Sequence, residues 1–221
     1  MATMIPLADA TRRPSRFPTV TSAIIVMNCI AFLLELAGGG AFVGQWSVIP
    51  ADVAAGRHLF TTISAMFLHA GWLHIIGNMV YLWAFGPEIE DTMGSIPYLA
   101  FYLISGIVAF VAQIAADPHS TTPNLGASGA IAGVMGAFLV TYPADRIKTV
   151  ILLGWFLRIT FVPAVLLIGF WFVIQFVSQF LSISDVRTEG VAYVAHVCGF
   201  IFGAVTARTF ERFAGRSRWS T

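Results

Sequence analysis

Six apolar blocks, separated by polar or positively charged segments, dominate this sequence. They cover residues 20–38, 72–88, 97–115, 128–142, 161–180 and 191–209. With 57% hydrophobic and only 10% charged residues, the chain of 221 residues is too apolar for a soluble globular domain. Because backbone groups in lipid must satisfy their own hydrogen bonds, each block is predicted to form a membrane-crossing helix. The expected fold class is an all-α membrane protein.

Most of the positively charged residues lie in three of the segments outside these blocks. They precede the first block, separate the fourth from the fifth, and follow the sixth: Arg12, Arg13, Arg16, Arg146, Lys148, Arg158, Arg208, Arg212, Arg216 and Arg218. By the positive-inside rule, both termini are expected to be cytoplasmic. We expect a tail at residues 1–18, a membrane domain at 19–210 and a second tail at 211–221. No cleavable signal sequence is expected ahead of the first block.

Composition and motifs also exclude several classes of function. The net charge is +1, and no basic tract with interleaved aromatic residues indicates a nucleic-acid partner. Cys29 and Cys198 lie inside apolar blocks, so a disulfide framework is not expected. The sequence has no H-E-x-x-H zinc motif, phosphate loop or dinucleotide fingerprint, and we expect neither a metal nor a cofactor.

The fourth block is shorter than a membrane crossing requires. A helix from Ser128 to Tyr142 would be about 22 Å long, against a hydrocarbon core of about 30 Å. If its C-terminal end meets the cytoplasmic surface near Pro143, its N-terminal end stops inside the membrane. The preceding segment, residues 116–125, must then dip inward, and such backbone needs protein or water around it. We therefore expect a wet cavity at Ser128 that opens to the outside.

A small hydroxyl side chain, Ser128, lies among glycines at the start of this fourth block. Gly129 and Gly133 form a G-x-x-x-G pair, which allows the backbone of another helix to approach closely. Taken alone, a serine in such a place is more often a packing residue than a nucleophile.

The sixth block carries a matching face. His196, Gly199 and Gly203 fall at positions i, i+3 and i+7, which places an imidazole and two glycines on one side of a helix. If the two glycine faces meet, Ser128 lies opposite His196, in the arrangement of a serine nucleophile and its general base. Alone, His196 is equally consistent with a hydrogen-bonded interior histidine.

A second pair of polar residues lies in the second block. His74 and Asn78 are four residues apart and therefore share one helical face. Both side chains can donate hydrogen bonds to a developing oxyanion, as can the Ser128 amide at a helix N-terminus. Polar side chains inside membrane helices usually face a functional interior, although hydrogen bonding between helices is an alternative role for this pair.

Three motifs occur in order along the chain: His74-x-x-x-Asn78, Gly126-Ala127-Ser128-Gly129 and Ala195-His196-x-x-Gly199-x-x-x-Gly203. Together they resemble the rhomboid family of intramembrane serine proteases, over about residues 58–207. The resemblance implies a compact bundle of six transmembrane helices, with a short fourth helix that starts inside the membrane. It also implies Ser128 as the nucleophile, His196 as the base, and His74 with Asn78 as the rest of the oxyanion site.

Three positions depart from the usual family pattern. Many members carry a Trp-Arg pair in the long first loop, where this chain has Phe60 and Thr61. Many also place an aromatic residue under the catalytic imidazole, four residues after the serine, where this chain has Ala132. The packing around His196 is therefore expected to come from elsewhere in the chain.

The fifth block and the loop after it are candidates for a gate and a cap over the site. The residues concerned are Trp171, Phe172, Gln175 and Phe176, with the loop at residues 182–190. Lipid-facing bulk is an equally good explanation of the aromatic residues. Because the fourth and sixth blocks contain no Asp or Glu, a catalytic dyad is expected instead of a triad.

The expected function is hydrolysis of peptide bonds in or near the transmembrane helices of other membrane proteins, through an acyl-enzyme on Ser128. The expected location is the cell membrane, with the lipid bilayer and transmembrane substrates as partners and an undetermined oligomeric state. Two alternatives stay open: a rhomboid-like protein that binds membrane helices without cutting them, and a small transporter or channel. Against a transporter, the chain shows no matching pair of interrupted helices.

Overall fold

A computed structural model of the protein describes residues 2–153, 156–182 and 193–218. These ranges contain eight α-helices and a small antiparallel sheet. The helices are α1 (Thr19–Trp46), α2 (Pro50–Ala54), α3 (Thr61–Ser64), α4 (Trp72–Met93), α5 (Ser95–Ala116), α6 (Ser128–Thr141), α7 (Ala164–Ser182) and α8 (Tyr193–Arg218). A short 3₁₀ turn, Ala65–Phe67, links α3 to the loop before α4.

The helices α1, α5 and α8 are long and apolar enough to cross a membrane. A fourth crossing results if α4 is joined to the short helical segments before it, across a bend of 94°. Two shorter apolar helical segments are Ser128–Thr141 in α6 and Ala164–Val177 in α7. The prediction of a mostly helical, multi-pass membrane protein is confirmed, whereas the count of six crossings stays a prediction.

The helix α6 lies at the centre of the bundle, in contact with α4, α5, α7 and α8. Every residue from 129 to 138 is buried, so the helix has no face directed towards lipid over this stretch. A helix that is apolar on all sides is stable in such a central position. The surrounding helices therefore determine where the start of α6 lies.

Glycines at facing positions allow α6 to pack directly on α8. A Cβ added to Gly199 would collide with the Gly129 carbonyl, and one added to Gly203 would collide with the Gly133 carbonyl. On another side of α6, a Cβ on Gly133 would lie 2.6 Å from Ser105 Oγ in α5. The two glycine faces predicted from the sequence therefore meet, with backbone against backbone.

A carboxylate near the end of α4 fixes the start of α1. Glu90 accepts hydrogen bonds from the Val20 amide at 2.9 Å, the Thr21 amide at 2.8 Å and the Ser95 hydroxyl at 3.0 Å. These amides lie in the first turn of α1, where Pro18 provides no side-chain cap. Glu90 therefore caps α1 from a neighbouring helix and holds α1, α4 and α5 together at this end.

A three-stranded antiparallel sheet corrects the purely helical prediction. Strand β1 (Ala2–Asp9) pairs with β2 (Arg146–Leu153), and β2 pairs with β3 (Phe156–Pro163). Residues 2–9, predicted as part of a tail, are thus paired with a distant segment. The helix of the fifth block begins at Ala164 instead of residue 161, because the preceding residues belong to β3.

The alternating exposure of β2 explains why this segment forms a strand. Arg146 and Lys148 are exposed, whereas the residues that follow each of them, Ile147 and Thr149, are buried. This period of two is typical of a strand with one buried face. The strand was not predicted because Arg146 and Lys148 were interpreted as part of a cytoplasmic loop between the fourth and fifth blocks.

Two carboxylates and one arginine meet where β1 ends. The Arg12 guanidinium pairs with Asp145 and lies 3.9 Å from the centre of the Tyr142 ring. Asp9 accepts a hydrogen bond from the Thr11 amide at 2.7 Å. Burial, with a smaller contribution from the neighbouring Asp145, raises the pKa of Asp9 to about 6. The hydrogen bond from Arg12 lowers the pKa of Asp145.

Substitution of Gly203 by Ala should destabilise the bundle, because the new methyl group would collide with the backbone of α6. We expect the unfolding temperature in detergent to fall by roughly 5 °C or more. Gly169→Ala in α7 is the matched control, since a Cβ there meets nothing within 4 Å. Equal unfolding temperatures for Gly203→Ala and wild type would show that the two backbones are not in contact.

The raised pKa of Asp9 should make the pairing of β1 with β2 depend on pH. Ionisation of Asp9 is less favourable in the folded protein, so this pairing should weaken as pH rises from about 4 to about 6 and then level off. Asp9→Asn keeps the acceptor for Thr11 and should remove the slope. Hydrogen-exchange protection factors of residues 2–9 measure the effect. Wild-type protection that increases over this interval would contradict the assignment.

Candidate active site

The helices α6 and α8 bring Ser128 and His196 into direct contact. Ser128 is the first residue of α6, and His196 lies in the first turn of α8. Ser128 Oγ and His196 Nε2 are 2.7 Å apart, and both residues are half-buried. Because the two backbones touch, the short serine side chain reaches the imidazole ring.

A cavity of about 520 Å³ lies beside this pair. Polar side chains in its wall come from both halves of the chain: His74, Asn78, Asn124, Ser128, Gln175 and His196. The rest of the wall is largely apolar, and a few convergent polar groups in an apolar pocket are typical of a ligand or substrate site. All four predicted site residues therefore line one cavity. Its opening to the outer surface stays a prediction.

The segment before Ser128 is held in place by the first loop. Asn124 and Val48 exchange backbone hydrogen bonds of 3.0 and 2.7 Å, and the Gly126 amide donates to the Ala65 carbonyl at 2.8 Å. These bonds satisfy backbone groups that lie outside any helix. The first loop thus determines the position from which α6 begins.

His74 on α4 presents an N–H group to the same space as the serine hydroxyl. The Ala70 amide donates to His74 Nδ1 at 3.3 Å, so the ring proton of the neutral imidazole lies on Nε2. A Cβ placed on Gly126 would lie 3.0 Å from His74 Nε2 and 3.6 Å from Ser128 Oγ. The histidine N–H and the serine hydroxyl are therefore close neighbours across a glycine.

Asn78, one turn after His74, supplies a second side-chain donor. It is 8% exposed, and its buried Nδ2 makes no hydrogen bond to any part of the chain that the structure describes. A buried amide without a partner is costly, so such a group indicates a site for a ligand atom or water. The wall formed by α4 therefore offers N–H groups from two side chains.

The N-terminus of α6 adds backbone donors. Its N-cap residue, Ala127, has no acceptor in its side chain, and the structure shows no side-chain cap at this end. The first amides of a helix have no carbonyl partner within the helix, and the helix dipole favours negative charge there. The Ser128 amide is thus a third candidate donor for an anionic oxygen.

Two side chains of α7 complete the surroundings of His196. Gln175 Oε1 lies 2.8 Å from His196 Nδ1, and the Trp171 ring centre lies 6.0 Å from the imidazole centre. Both residues were predicted from the sequence as part of a gate, without a link to His196. Their spacing of four on one helical face, together with Ala132 in place of an aromatic residue, was the available signal.

The unusual residues of the first loop have local partners. The Phe60 ring packs 5.7 Å from the Trp46 ring, at the end of α1. The Thr61 hydroxyl donates to the His58 carbonyl at 2.7 Å. The Phe60 contact ties the start of α3 to α1, whereas the Thr61 hydrogen bond closes the turn before α3. Residues 183–190 of the predicted cap lie outside the described part of the chain.

The fold and the cavity together define a multi-pass helical membrane protein with an internal serine–histidine pair. The sequence profile of the Rhomboid domain matches residues 56–213. The match covers well over half of the chain, which therefore belongs to the rhomboid family.

Three curated proteins illustrate the similarity. The chain is 32% identical over 133 residues to the Rhomboid protease GluP of Bacillus subtilis, covering 58% of this chain and 26% of that protein. It is 36% identical over 77 residues to RHOMBOID-like protein 5 of Arabidopsis thaliana, covering 35% and 25%. It is 33% identical over 90 residues to the human Presenilin-associated rhomboid-like protein, mitochondrial, covering 39% and 23%. The chain thus spans about a quarter of the length of these relatives.

Gly126→Ala should strain the loop that positions Ser128. Gly126 has φ +129°, which disfavours a Cβ, and the added methyl group would lie 2.9 Å from His74 Cε1. We expect a loss of about 1–3 kcal/mol in unfolding free energy, measured by thermal or denaturant unfolding in detergent. Gly40→Ala, where a Cβ meets nothing within 4 Å, is the control. A Gly126→Ala protein as stable as wild type would contradict this geometry.

Proposed function

We propose that the protein is an intramembrane serine endopeptidase that hydrolyses peptide bonds in or near the transmembrane helices of other membrane proteins. The observation that carries the proposal is the 2.7 Å contact between Ser128 Oγ and His196 Nε2. The similarity to a relative named as a rhomboid protease supports the same assignment.

Nucleophilic attack follows from the contact between the two side chains. Neutral His196 accepts the hydroxyl proton at Nε2 while Ser128 Oγ attacks the peptide carbonyl carbon. The same Nε2–H then protonates the leaving amine, and the carbonyl carbon stays bonded to Ser128 as an ester. Both proton transfers use one nitrogen, so the imidazole needs a fixed orientation.

The negatively charged oxygen of the tetrahedral intermediate needs hydrogen-bond donors. His74 Nε2–H, Asn78 Nδ2–H and the Ser128 amide line the space beside Ser128 Oγ. Three preorganised N–H groups stabilise an oxyanion more strongly here than in water, because electrostatic interactions in a largely apolar cavity are weakly screened. This role accounts for the buried, unpaired Asn78 amide.

Hydrolysis of the ester requires water and a substrate in extended form. Water that enters the cavity is deprotonated by His196 and attacks the acyl carbon, which releases the acid product and restores Ser128. A peptide carbonyl inside a helix is already hydrogen bonded to its own chain. The substrate helix must therefore unwind locally before its carbonyl can reach the donors.

We further propose a bundle of six crossings in the cell membrane, with both termini in the cytoplasm. Four of these crossings are α1, α5, α8 and α4 with the short segments before it, and the helices α6 and α7 supply the other two. The basic residues before α1, between α6 and α7 and towards the end of α8 support this orientation by the positive-inside rule. The partners are transmembrane substrates and the surrounding lipid.

Cleavage of a transmembrane test substrate by the purified full chain measures the proposed activity. Ser128→Ala and His196→Ala should each lower kcat/KM by at least about 10³-fold. His74→Ala and Asn78→Ala should each lower kcat by about 10²- to 10³-fold, because each removes one oxyanion donor. Ser105→Ala, which removes a different buried hydroxyl, should leave the rate unchanged.

The outcomes separate an active protease from an inactive relative. Wild-type protein that neither cuts the substrate nor reacts with a serine-directed fluorophosphonate would indicate a rhomboid-like protein that binds helices without cutting. Equal cleavage by wild type and Ser128→Ala would exclude Ser128 as the nucleophile.

A further inference from the structure

The imidazole of His196 has a second hydrogen-bond partner that the mechanism above does not use. Gln175 Oε1 lies 2.8 Å from Nδ1, while Ser128 Oγ lies 2.7 Å from Nε2. Both ring nitrogens are therefore engaged, one by a neutral amide and one by the serine hydroxyl. We propose that Gln175 is a positioning residue that fixes the tautomer and orientation of His196. This inference rests on the proposed peptidase function.

The amide oxygen selects one tautomer of the imidazole. A carbonyl oxygen can only accept a hydrogen bond, so Nδ1 must carry the proton that it receives. In neutral imidazole this leaves a lone pair on Nε2, which is the nitrogen that faces Ser128. In the opposite tautomer Nε2 would carry the proton and could not deprotonate the serine. Gln175 thus favours the reactive form.

The same hydrogen bond restrains the plane of the ring. The residue one turn after Ser128 on α6 is the small Ala132, which has no ring, and the Trp171 ring on α7 is tilted by 43° to the imidazole at a centre distance of 6.0 Å. Neither residue forms a close parallel stack with the imidazole. A directional hydrogen bond at Nδ1 therefore supplies the restraint on rotation that ring stacking does not provide.

A neutral amide such as that of Gln175 is well suited to a position within a membrane helix. A carboxylate in the same place would stabilise the imidazolium more strongly, but a charged group within a membrane helix is expensive to bury. Gln175 provides the geometry of a third catalytic-triad member without its charge. Its dipole still favours the imidazolium that forms when Ser128 attacks, so its loss should have a moderate effect.

Three substitutions at position 175 test the inference. Gln175→Leu and Gln175→Met remove the acceptor and should lower kcat by about 10- to 100-fold with little change in KM, because Leu and Met fill a similar volume at this position of the cavity wall. Gln175→Glu restores an acceptor and should recover most of the rate. The ionised carboxylate of this variant stabilises the imidazolium, so the acidic limb of the pH profile of kcat/KM should move to higher pH.

A glutamine at another position is the matched control. Gln113 in α5 has a buried Oε1 that makes no hydrogen bond in the described ranges, so Gln113→Leu makes the same chemical change away from His196. It should leave kcat unchanged. Unfolding temperatures of all variants in the same detergent separate an effect on the ring from an effect on the fold.

The possible results distinguish this inference from the proposed function. If Gln175→Leu and Gln175→Met cut at the wild-type rate while Ser128→Ala is inactive, the peptidase stands and the positioning role is wrong. If Gln175→Glu is as impaired as Gln175→Leu with an unshifted pH profile, the role of Gln175 is packing alone. A wild-type protein as inactive as Ser128→Ala overturns both proposals.

Discussion

Direct backbone contact between α6 and α8 is the constraint on which the whole site depends. In lipid, close packing and hydrogen bonds between helices replace the hydrophobic effect as the force that joins them. Because Gly129 and Gly199 face each other without side chains, the helices approach until Ser128 and His196 touch. A side chain at Gly199 would collide with the Gly129 carbonyl, force the two helices apart and break the contact between Ser128 and His196.

The site is built from neutral groups held in place by separate elements. The helix α4 contributes His74 and Asn78, the anchored loop before α6 positions Ser128, and α7 holds His196 through Gln175. In the proposed mechanism, oriented N–H groups and a helix N-terminus would provide electrostatic stabilisation without the cost of burying a full charge in the membrane. The proposed oxyanion site would therefore have a low desolvation cost.

Sequence patterns predicted the parts of this fold that depend on apolar length and on residue size. The long apolar blocks correspond to helices, and the glycine spacing predicted that Ser128 and His196 face each other. The sheet was missed because Arg146, Lys148 and Arg158 indicated a cytoplasmic loop between two spans, and residues 161–163 at the end of β3 were counted in the fifth block. Gln175 was not connected with His196, because the rotation of α7 about its axis depends on packing that the sequence of one helix does not reveal.

The most direct measurement is an experimental structure of the protein in lipid after reaction with a serine-directed phosphonate. The account predicts a single covalent bond from phosphorus to Ser128 Oγ, with a phosphonyl oxygen within hydrogen-bond distance of His74 Nε2 and Asn78 Nδ2. Gln175 should still contact His196 Nδ1. A label on another residue, or an oxygen that points away from α4, would contradict the account.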